Sequence, residues 1–262
     1  PSVLISFNPH PRIILGGKSK FLLTSLKFKL KILKRKQIDH IVIIPFSESF
    51  SEILPAEFLK DFIVKKFNPS IIVIGKDNTF GYKRTGNYDF MKNYFKTSDC
   101  EIKLQKNLVV KNNGKVSSTN IRELILNNDI SNANKLLGYE FKIDCIIIKG
   151  KQIGRKLTFP TINLLPNDKH HLIPSRGVYF VSVEIDNRHY LGMCNIGMNP
   201  TISETSVESI EAHLFECNDN LYGKGCIISF KQYIRKELKF KSKEHLITQL
   251  KKDRDMCMEM SE

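Results

Sequence analysis

The sequence has no tryptophan, no Cys-x-x-Cys pair and no long apolar run. Its longest apolar runs, such as Ile41–Ile44 and Ile71–Ile74, contain four residues, whereas a membrane helix needs about 20. These runs are typical of buried strands, so we expect no membrane partner.

The six cysteines lack the spacing of zinc ligands, and a disulfide framework is not expected in a chain of 262 residues. We therefore expect reduced thiols and a cytoplasmic location.

A secretory leader is also missing from the printed sequence. The chain starts at Pro1 with strand-like residues, Val3–Phe7, rather than with a charged segment, an apolar segment and a small-residue cleavage site. We expect that the natural start of the protein lies upstream.

Acidic residues are scarce near the start. None precedes Asp39, and the chain as a whole carries 41 basic and 27 acidic residues, for a net charge of +14. Such a charge is compatible with nucleic-acid binding. However, leucines recur at helical spacing among the early lysines, at Leu22, Leu26, Leu30 and Leu33. Most of these lysines are therefore expected on the wet face of an amphipathic helix. We expect no nucleic-acid partner and keep a basic RNA-binding β-barrel as an alternative.

The first half of the chain alternates between strand-like and helix-like segments. The predicted strands are Val3–Phe7, Ile41–Pro45 and Ile71–Gly75. The predicted helices are Thr24–Lys36, Pro55–Phe67, Ser118–Leu126 and Ser131–Leu137. This alternation predicts an α/β domain with a parallel sheet. Because ligands of such sheets bind beyond the carboxyl ends of the strands, we expect chemistry in the loops after Phe7 and Ile74.

From Phe141 onward, short strand-like segments follow one another, separated by polar and glycine-containing turns. They are Phe141–Ile148, Tyr179–Ile185, Tyr190–Ile196, Glu211–Phe215 and Cys226–Ile234. This succession predicts an antiparallel barrel or sandwich, followed by a final helix from about Lys243 to Met258. We place the domain boundary near Gly138–Tyr139, which gives domains of residues 1–138 and 139–262.

One segment combines glycines, basic residues and small oxygen-bearing side chains. It reads Gly150-Lys-Gln-Ile-Gly154-Arg-Lys-Leu-Thr-Phe-Pro-Thr161-Ile-Asn163. Thr161 and Asn163 are two residues apart, so in an extended segment they point to the same side. Each offers an oxygen to a hard cation such as Mg²⁺, which commonly takes few protein ligands plus substrate phosphates. The alternative is a turn in which both side chains bond their own backbone.

A second candidate is the carboxylate of Glu211, at the start of the predicted strand Glu211–Phe215. Glu211 and His213 share one face of this strand. A carboxylate there can accept the proton of a hydroxyl group that attacks a γ-phosphoryl group. The alternatives are a solvated glutamate and a His213 that serves only as a structural hydrogen-bonding residue.

These motifs occur in the order found in riboflavin kinases, and the resemblance extends over residues of about 140 to 255. Besides the loop just described, it rests on Asn195-Ile-Gly-Met-Asn-Pro-Thr201, Glu211-Ala-His-Leu214, Leu221-Tyr-Gly223, Arg235-Lys-Glu-Leu-Lys-Phe240 and Asp253. The resemblance implies a six-stranded Greek-key barrel that converts riboflavin to FMN, with Glu211 as the base. It implies ATP-phosphate contacts at Gly150, Gly154, Arg155, Thr161 and Asn163. It further implies Mg²⁺ at Thr161 and Asn163, and flavin near Arg235 and Phe240.

Two residues of the loop depart from the pattern of riboflavin kinases. Thr158 stands where the family has a glycine before Phe159, and Ile162 replaces an alanine. Threonine restricts the backbone where glycine would be free. We expect this change to affect closure of the loop without removing a ligand.

Three segments of the first half resemble the FMN adenylyltransferase module of bifunctional prokaryotic riboflavin kinase/FAD synthetases. They are Phe7-Asn-Pro-His10-Pro-Arg12, Gly75-Lys-Asp77-Asn-Thr-Phe-Gly-Tyr-Lys-Arg-Thr-Gly86 and Ser117-Ser118-Thr119-Asn-Ile-Arg122. The resemblance implies a nucleotidyltransferase-type, Rossmann-like fold that converts FMN to FAD. It implies nucleotide-binding residues at His10, Asp77, Ser118, Thr119 and Arg122. A helix start near cations favours phosphate binding, although Ser118 and Thr119 also fit a helix N-cap and His10 also fits a turn.

The module departs from its family in two respects. The family's opening strand and its Gly-x-Phe-Asp-Gly-x-His-x-Gly-His loop are not in the printed sequence, and Asn78 replaces a phenylalanine. As printed, the chain is not expected to make FAD efficiently. The hypotheses are a riboflavin kinase that is bifunctional in its full-length form, a monofunctional riboflavin kinase with a degenerate N-terminal domain, and an RNA-binding barrel.

Overall fold

The computed structural model of the protein describes residues 1–16, 21–105, 109–110, 114–150, 158–199, 207–217 and 219–261. The chain divides into two compact units. The first contains Pro1–Lys18 and Leu30–Lys115, and the second contains Ser19–Lys29 and Val116–Glu262. Residues 116–138 thus belong to the second unit, and the domain boundary near Gly138 remains a prediction.

Parallel strand pairs characterise the first unit. Its strands are β1 (Val3–Asn8), β2 (His40–Pro45), β3 (Ile71–Gly75), β4 (Glu101–Gln105), β5 (Val109–Val110) and β6 (Gly114–Lys115). Strand β1 pairs in parallel with β2, β3 pairs in parallel with β4, and β5 and β6 form a small antiparallel pair. The parallel pairs confirm the α/β class. The sequence did not predict β4, in which only Ile102 and Leu104 are apolar.

The α-helices between residues 1 and 115 are short. They are α1 (Pro11–Ile14), α2 (Leu26–Arg35), which begins in the second unit and ends in the first, α3 (Glu48–Ser51), α4 (Pro55–Glu57), α5 (Lys65–Phe67) and α6 (Tyr88–Tyr94). Residues Phe58–Val64 form a π-helix between α4 and α5, so the predicted helix Pro55–Phe67 is continuous but locally wider. The core of the first unit consists of Leu59, Ile63, Ile74, Met91 and Phe95.

The second unit is built on a closed six-stranded β-barrel. Its strands are β7 (Phe141–Ile148), β8 (Ile162–Pro166), β9 (Gly177–Ile185), β10 (Arg188–Asn199), β11 (Val207–Leu214) and β12 (Gly225–Arg235). They are hydrogen-bonded in the closed order β10-β11-β8-β7-β12-β9, and the neighbouring strands are antiparallel. This arrangement confirms the predicted barrel and adds β8, which the sequence did not predict.

Alternate residues of each strand fill the interior of the barrel. Ile147 on β7 is opposite Leu164 on β8, and Leu164 is opposite Ile210 on β11. The row continues from Ile210 to Ile196 on β10. All four side chains are buried. Because side chains alternate between the two faces of a strand, the residues between these positions lie on the outer face of the barrel.

Helices α7 (Ser118–Leu126), α8 (Ile130–Leu137) and α9 (Lys243–Glu259) complete the second unit. Helix α9 lies on the outer face of β9 and β10, where Cys257 packs in a cluster with Phe159, Val178, Phe180 and Met193. Helix α8 is joined to the barrel by the Asn134 side chain, which accepts from Phe141 N at 2.8 Å and donates to Phe230 O at 2.9 Å.

Three features of the described residues concern membrane-spanning helices, cysteines and clusters of metal-binding side chains. No helix within them has both the length and the apolar character needed to cross a membrane. All six cysteines are free. The described ranges also contain no group of three or more His, Cys, Asp or Glu side chains that could hold a metal ion.

Candidate active site

Three polar residues form a row across neighbouring strands of the barrel. In the antiparallel registers, Asn163 on β8 is the direct partner of Glu211 on β11, and Glu211 is the direct partner of Asn195 on β10. Directly opposed residues project from the same face of a sheet, with Cβ atoms about 4.5–5.5 Å apart. The structure therefore brings a candidate metal ligand and the candidate base side by side.

This row lies on the outer face of the barrel. The neighbours of Glu211 along β11, Ile210 and Ala212, are buried in the interior. Glu211 and Asn163 themselves are only partly buried. A ligand can therefore reach the row from outside without entering the packed interior.

Thr161 lies one residue before β8 and follows two anchored neighbours. The carbonyl oxygen of Pro160 is 2.8 Å from Nδ1 of His213. The Phe159 side chain is buried in the cluster beneath α9, and its ring centroid lies 5.1 Å from that of His213. These contacts fix the chain just before Thr161, so that Thr161 and Asn163 are both held at the start of β8.

His213 makes a hydrogen bond to the loop before Thr161, and its role as a purely structural residue stays a prediction. Its Nδ1 donates to the carbonyl oxygen of Pro160, and its ring also contacts Phe215 with centroids 5.8 Å apart. Burial lowers the pKa of His213; the Pro160 hydrogen bond opposes this shift, and the charge of Arg254 adds to it. The lowered pKa favours the neutral imidazole, which contacts Pro160 in the loop and Phe215 after β11.

Gly150 closely approaches Asn163. A Cβ atom at position 150 would overlap the side-chain amide of Asn163, which would have to move to admit it. The start of the candidate phosphate loop therefore lies directly against the candidate metal ligand. Gly154 and Arg155 lie outside the described residues, and their roles stay predictions.

Arg235, a predicted flavin contact, ends β12 and is paired with Asp253 of α9. Its Nε lies 2.9 and 3.1 Å from the two carboxylate oxygens, and its Nη2 lies 2.6 Å from one of them. The Asp253 carboxylate therefore holds the Arg235 guanidinium in place. Phe240, the other predicted flavin contact, is partly buried in the irregular segment after β12. Contact of either residue with a flavin stays a prediction.

His10 and Asp77 are the predicted nucleotide-binding residues of the first unit. His10 is the N-cap of α1, and its Nδ1 accepts from Arg12 N at 3.2 Å. Asp77 is exposed in the turn after β3. Both residues follow the carboxyl end of a parallel strand, which is where the sequence predicted chemistry.

Ser118, Thr119 and Arg122 belong to the second unit. Helix α7 begins at Ser118, and its N-cap is Ser117, whose Oγ accepts from Asn120 N at 3.2 Å. The alternative in which Ser118 and Thr119 cap the helix is therefore wrong: they are its first two residues, and both are exposed. Arg122 Nε donates to the carbonyl oxygen of Phe21 at 2.7 Å. Nucleotide binding by these residues stays a prediction.

Comparison with known proteins accounts for both halves of the chain. The family model described as riboflavin kinase matches residues 137–261, and the one described as FAD synthetase matches residues 1–120. A bifunctional riboflavin kinase/FMN adenylyltransferase from Buchnera aphidicola subsp. Schizaphis graminum is 38% identical over 255 residues, which cover 96% of this chain and 81% of the relative. The chain belongs to the bifunctional riboflavin kinase/FMN adenylyltransferase family. The resemblance stated from the sequence motifs is thereby confirmed.

A second relative supports this membership in the bifunctional family, and a solved structure supports the fold. The relative from Listeria monocytogenes, which has the same description, is 32% identical over 257 residues, covering 96% of this chain and 80% of the relative. A crystal structure described as a macrolide-efflux protein from Streptococcus pneumoniae has a TM-score of 0.86 at 31% identity. That likeness covers 98% of this chain and 83% of the other, and it supports the same fold.

In the riboflavin kinase half, the sequence motifs did not identify two features of the site. The direct pairing of Asn163 with Glu211 depends on β8, whose strand character was not predicted. Glu237 also comes close to the row, because its Oε1 accepts from Asn195 Nδ2 at 3.3 Å. Both features arise from contacts between residues distant in sequence, which a local pattern does not encode.

Proposed function

We propose that this protein phosphorylates riboflavin to FMN with ATP in its barrel and, in its full-length form, adenylylates FMN to FAD through its N-terminal α/β region. Membership in the bifunctional family supports both activities. The observation that carries the kinase proposal is the pairing of Asn163 with Glu211 on the outer face of the barrel. This pairing lies within the residues that match the riboflavin kinase family.

Glu211 acts as the general base of the proposed kinase. Its carboxylate takes the proton of the terminal ribityl hydroxyl of riboflavin as that oxygen attacks the γ-phosphorus of ATP. ADP leaves, and the new oxygen–phosphorus bond completes FMN. Phosphoryl transfer depends mainly on positioning and electrostatics. The strand register contributes to catalysis because it holds Glu211 beside Asn163.

Thr161 and Asn163 would hold Mg²⁺ together with the phosphates of ATP. Their neutral oxygens fit a hard cation that takes few protein ligands and several from phosphate and water. When bound, Mg²⁺ neutralises charge that develops on the phosphates.

For the adenylyltransferase, we propose nucleotide contacts from His10, Asp77, Ser118, Thr119 and Arg122. The first two follow strands β1 and β3, and the other three lie at or near the start of α7. The first N–H groups of a helix lack intrahelical partners and favour an anion. Arg122 adds a positive charge near the same helix start.

The test is to incubate the protein with riboflavin, ATP and Mg²⁺ and to separate the flavins by chromatography. FMN together with FAD would support both activities, and FMN alone would support a riboflavin kinase whose adenylyltransferase domain is inactive in this chain. A matched reaction that starts from FMN isolates the adenylyl transfer. If neither product forms and the protein instead retains RNA in a salt-sensitive manner, the proposal is overturned in favour of a nucleic-acid-binding barrel.

A further inference from the structure

We propose that Asp253 is a positioning residue of the kinase site. It lies on α9 and acts on the row around Glu211 through two contacts, the ion pair with Arg235 and the hydrogen bond between Glu237 and Asn195. This inference rests on the proposed kinase function, because it concerns the same row. The reaction described above gives Asp253 no task.

The first step of the argument is the burial of Asp253. The residue is only 1% exposed, and besides the bonds from Arg235 its carboxylate accepts one from Gln249 Nε2 at 2.9 Å. Taking a charged pair out of water costs several kcal/mol, and apolar packing often stabilises a fold at least as well. Apolar residues such as Ile247 and Cys257 already hold α9 against the barrel. The ion pair with Asp253 does something that apolar packing does not: its two parallel hydrogen bonds fix the orientation of the Arg235 guanidinium.

The second step is the path of the chain after the barrel. Arg235 is the last residue of β12, and its Nη1 donates to the carbonyl oxygen of Lys236 at 2.9 Å. Residues 236–240 lie in neither a strand nor a helix. The guanidinium that Asp253 orients therefore also fixes the first peptide group of this irregular segment.

The third step leads from this segment to the base. Glu237 comes two residues after Arg235, and its carboxylate accepts from the side-chain amide of Asn195 at 3.3 Å. Gly197 makes room for that carboxylate, since a Cβ atom at position 197 would overlap it. Asn195 is the direct cross-strand partner of Glu211. Helix α9 is thereby linked to the immediate surroundings of Glu211.

The principal test is Asp253→Asn, which removes the charge but keeps the size of the side chain. We expect kcat for FMN formation to fall by about tenfold or more, while KM for ATP changes little, because misplaced reacting groups reduce rate more than binding. The matched control is Asp186→Asn, which removes the charge of Asp186 from its exposed ion pair with Lys224. This control is expected to keep the wild-type kcat. All rates are measured at a temperature where circular dichroism shows each variant folded.

A second variant keeps the proposal testable if Asp253→Asn does not fold. Glu237→Ala changes an exposed side chain and leaves the buried pair intact, and we expect a comparable loss of kcat. In the double variant, the two losses should not add, because both changes interrupt one path. A wild-type kcat in folded Asp253→Asn, a wild-type kcat in Glu237→Ala, or fully additive losses would overturn the proposal. Failure of the wild-type protein to make FMN would overturn the proposed function instead.

Discussion

At the scale of single residues, Thr158 has a backbone conformation that threonine rarely adopts. Its φ is +62°, in the left-handed region, where β-branched side chains are outliers. For threonine this conformation destabilises the folded state by about 1–2 kcal/mol. A glycine would avoid that strain, but the greater conformational entropy of its unfolded chain would reduce stability by about 0.5–1 kcal/mol.

We therefore expect Thr158→Gly to raise the free energy of unfolding by up to about 1 kcal/mol. The measurement is urea denaturation of the variant and the wild type. Thr248→Gly serves as the control, because Thr248 is exposed within α9 and glycine there should lower stability by about 0.5 kcal/mol. A clear destabilisation by Thr158→Gly would contradict the strain at this position.

His171 gives the protein a predicted sensitivity to acid. Its side chain is 2% exposed, its Nδ1 donates to the carbonyl oxygen of Leu172 at 3.1 Å, and its Nε2 has no hydrogen-bond partner among the described residues. Burial lowers the pKa of His171. Below a pH of about 6.5 the unfolded chain binds a proton at this residue that the native state does not bind. Stability is therefore retained above that pH and falls as the pH drops below it.

We expect His171→Phe to reduce the loss of unfolding free energy between pH 7.5 and pH 5.5. The loss attributed to His171 is at most about 1.4 kcal/mol per pH unit. Urea midpoints at the two pH values measure it, with His189→Phe as a control at an exposed histidine. An acid-induced loss as large in His171→Phe as in the wild type would show that another group is responsible.

At the scale of elements, Phe159 anchors the loop that carries Thr161. Its ring lies in the cluster that joins the outer face of the barrel to α9. Replacing it by alanine removes this anchor and leaves a cavity. We expect Phe159→Ala to lower the free energy of unfolding by about 3 kcal/mol and to raise KM for ATP severalfold.

The control for Phe159→Ala is Ile185→Ala. Ile185 is buried in the barrel interior. It lies at the opposite end of β9 from Val178, which pairs with Asn195 of the row around Glu211. It should lose comparable stability, measured by denaturation, while its KM for ATP stays at the wild-type value. Equal changes in KM for the two variants would mean that loosening of the barrel, and not the loop anchor, affects nucleotide binding.

The elements differ in how well the sequence predicted them. Strand β7 and helix α7 have the predicted bounds, because their apolar residues repeat clearly with periods of two and 3.6. Strand β8 was not predicted, because the short segment Ile162–Pro166 has no such repeat and becomes a strand through pairing with β7 and β11. Tertiary pairing therefore determined the element that carries Asn163.

At the scale of the whole molecule, the candidate residues were predicted but their arrangement was not. Thr161, Asn163 and Glu211 could be selected from residue types and motif order, since each side chain offers a suitable oxygen. The partnership of Asn163 with Glu211 requires closure of the barrel between strands 48 residues apart in sequence, from 163 to 211. The pairing of Arg235 with Asp253 likewise requires α9 to fold back onto the barrel. Contacts of this kind depend on the complete fold.

The most direct test of this account is the rate of FMN formation from riboflavin and ATP by Glu211→Gln, compared with the wild type and with Glu208→Gln. Glutamine keeps the shape of the base but cannot accept the proton, so a loss of at least about 100-fold in kcat is expected. Glu208→Gln changes another carboxylate of β11 and should retain most of the activity. Near-wild-type turnover by folded Glu211→Gln would contradict the assignment of the barrel row as the kinase site.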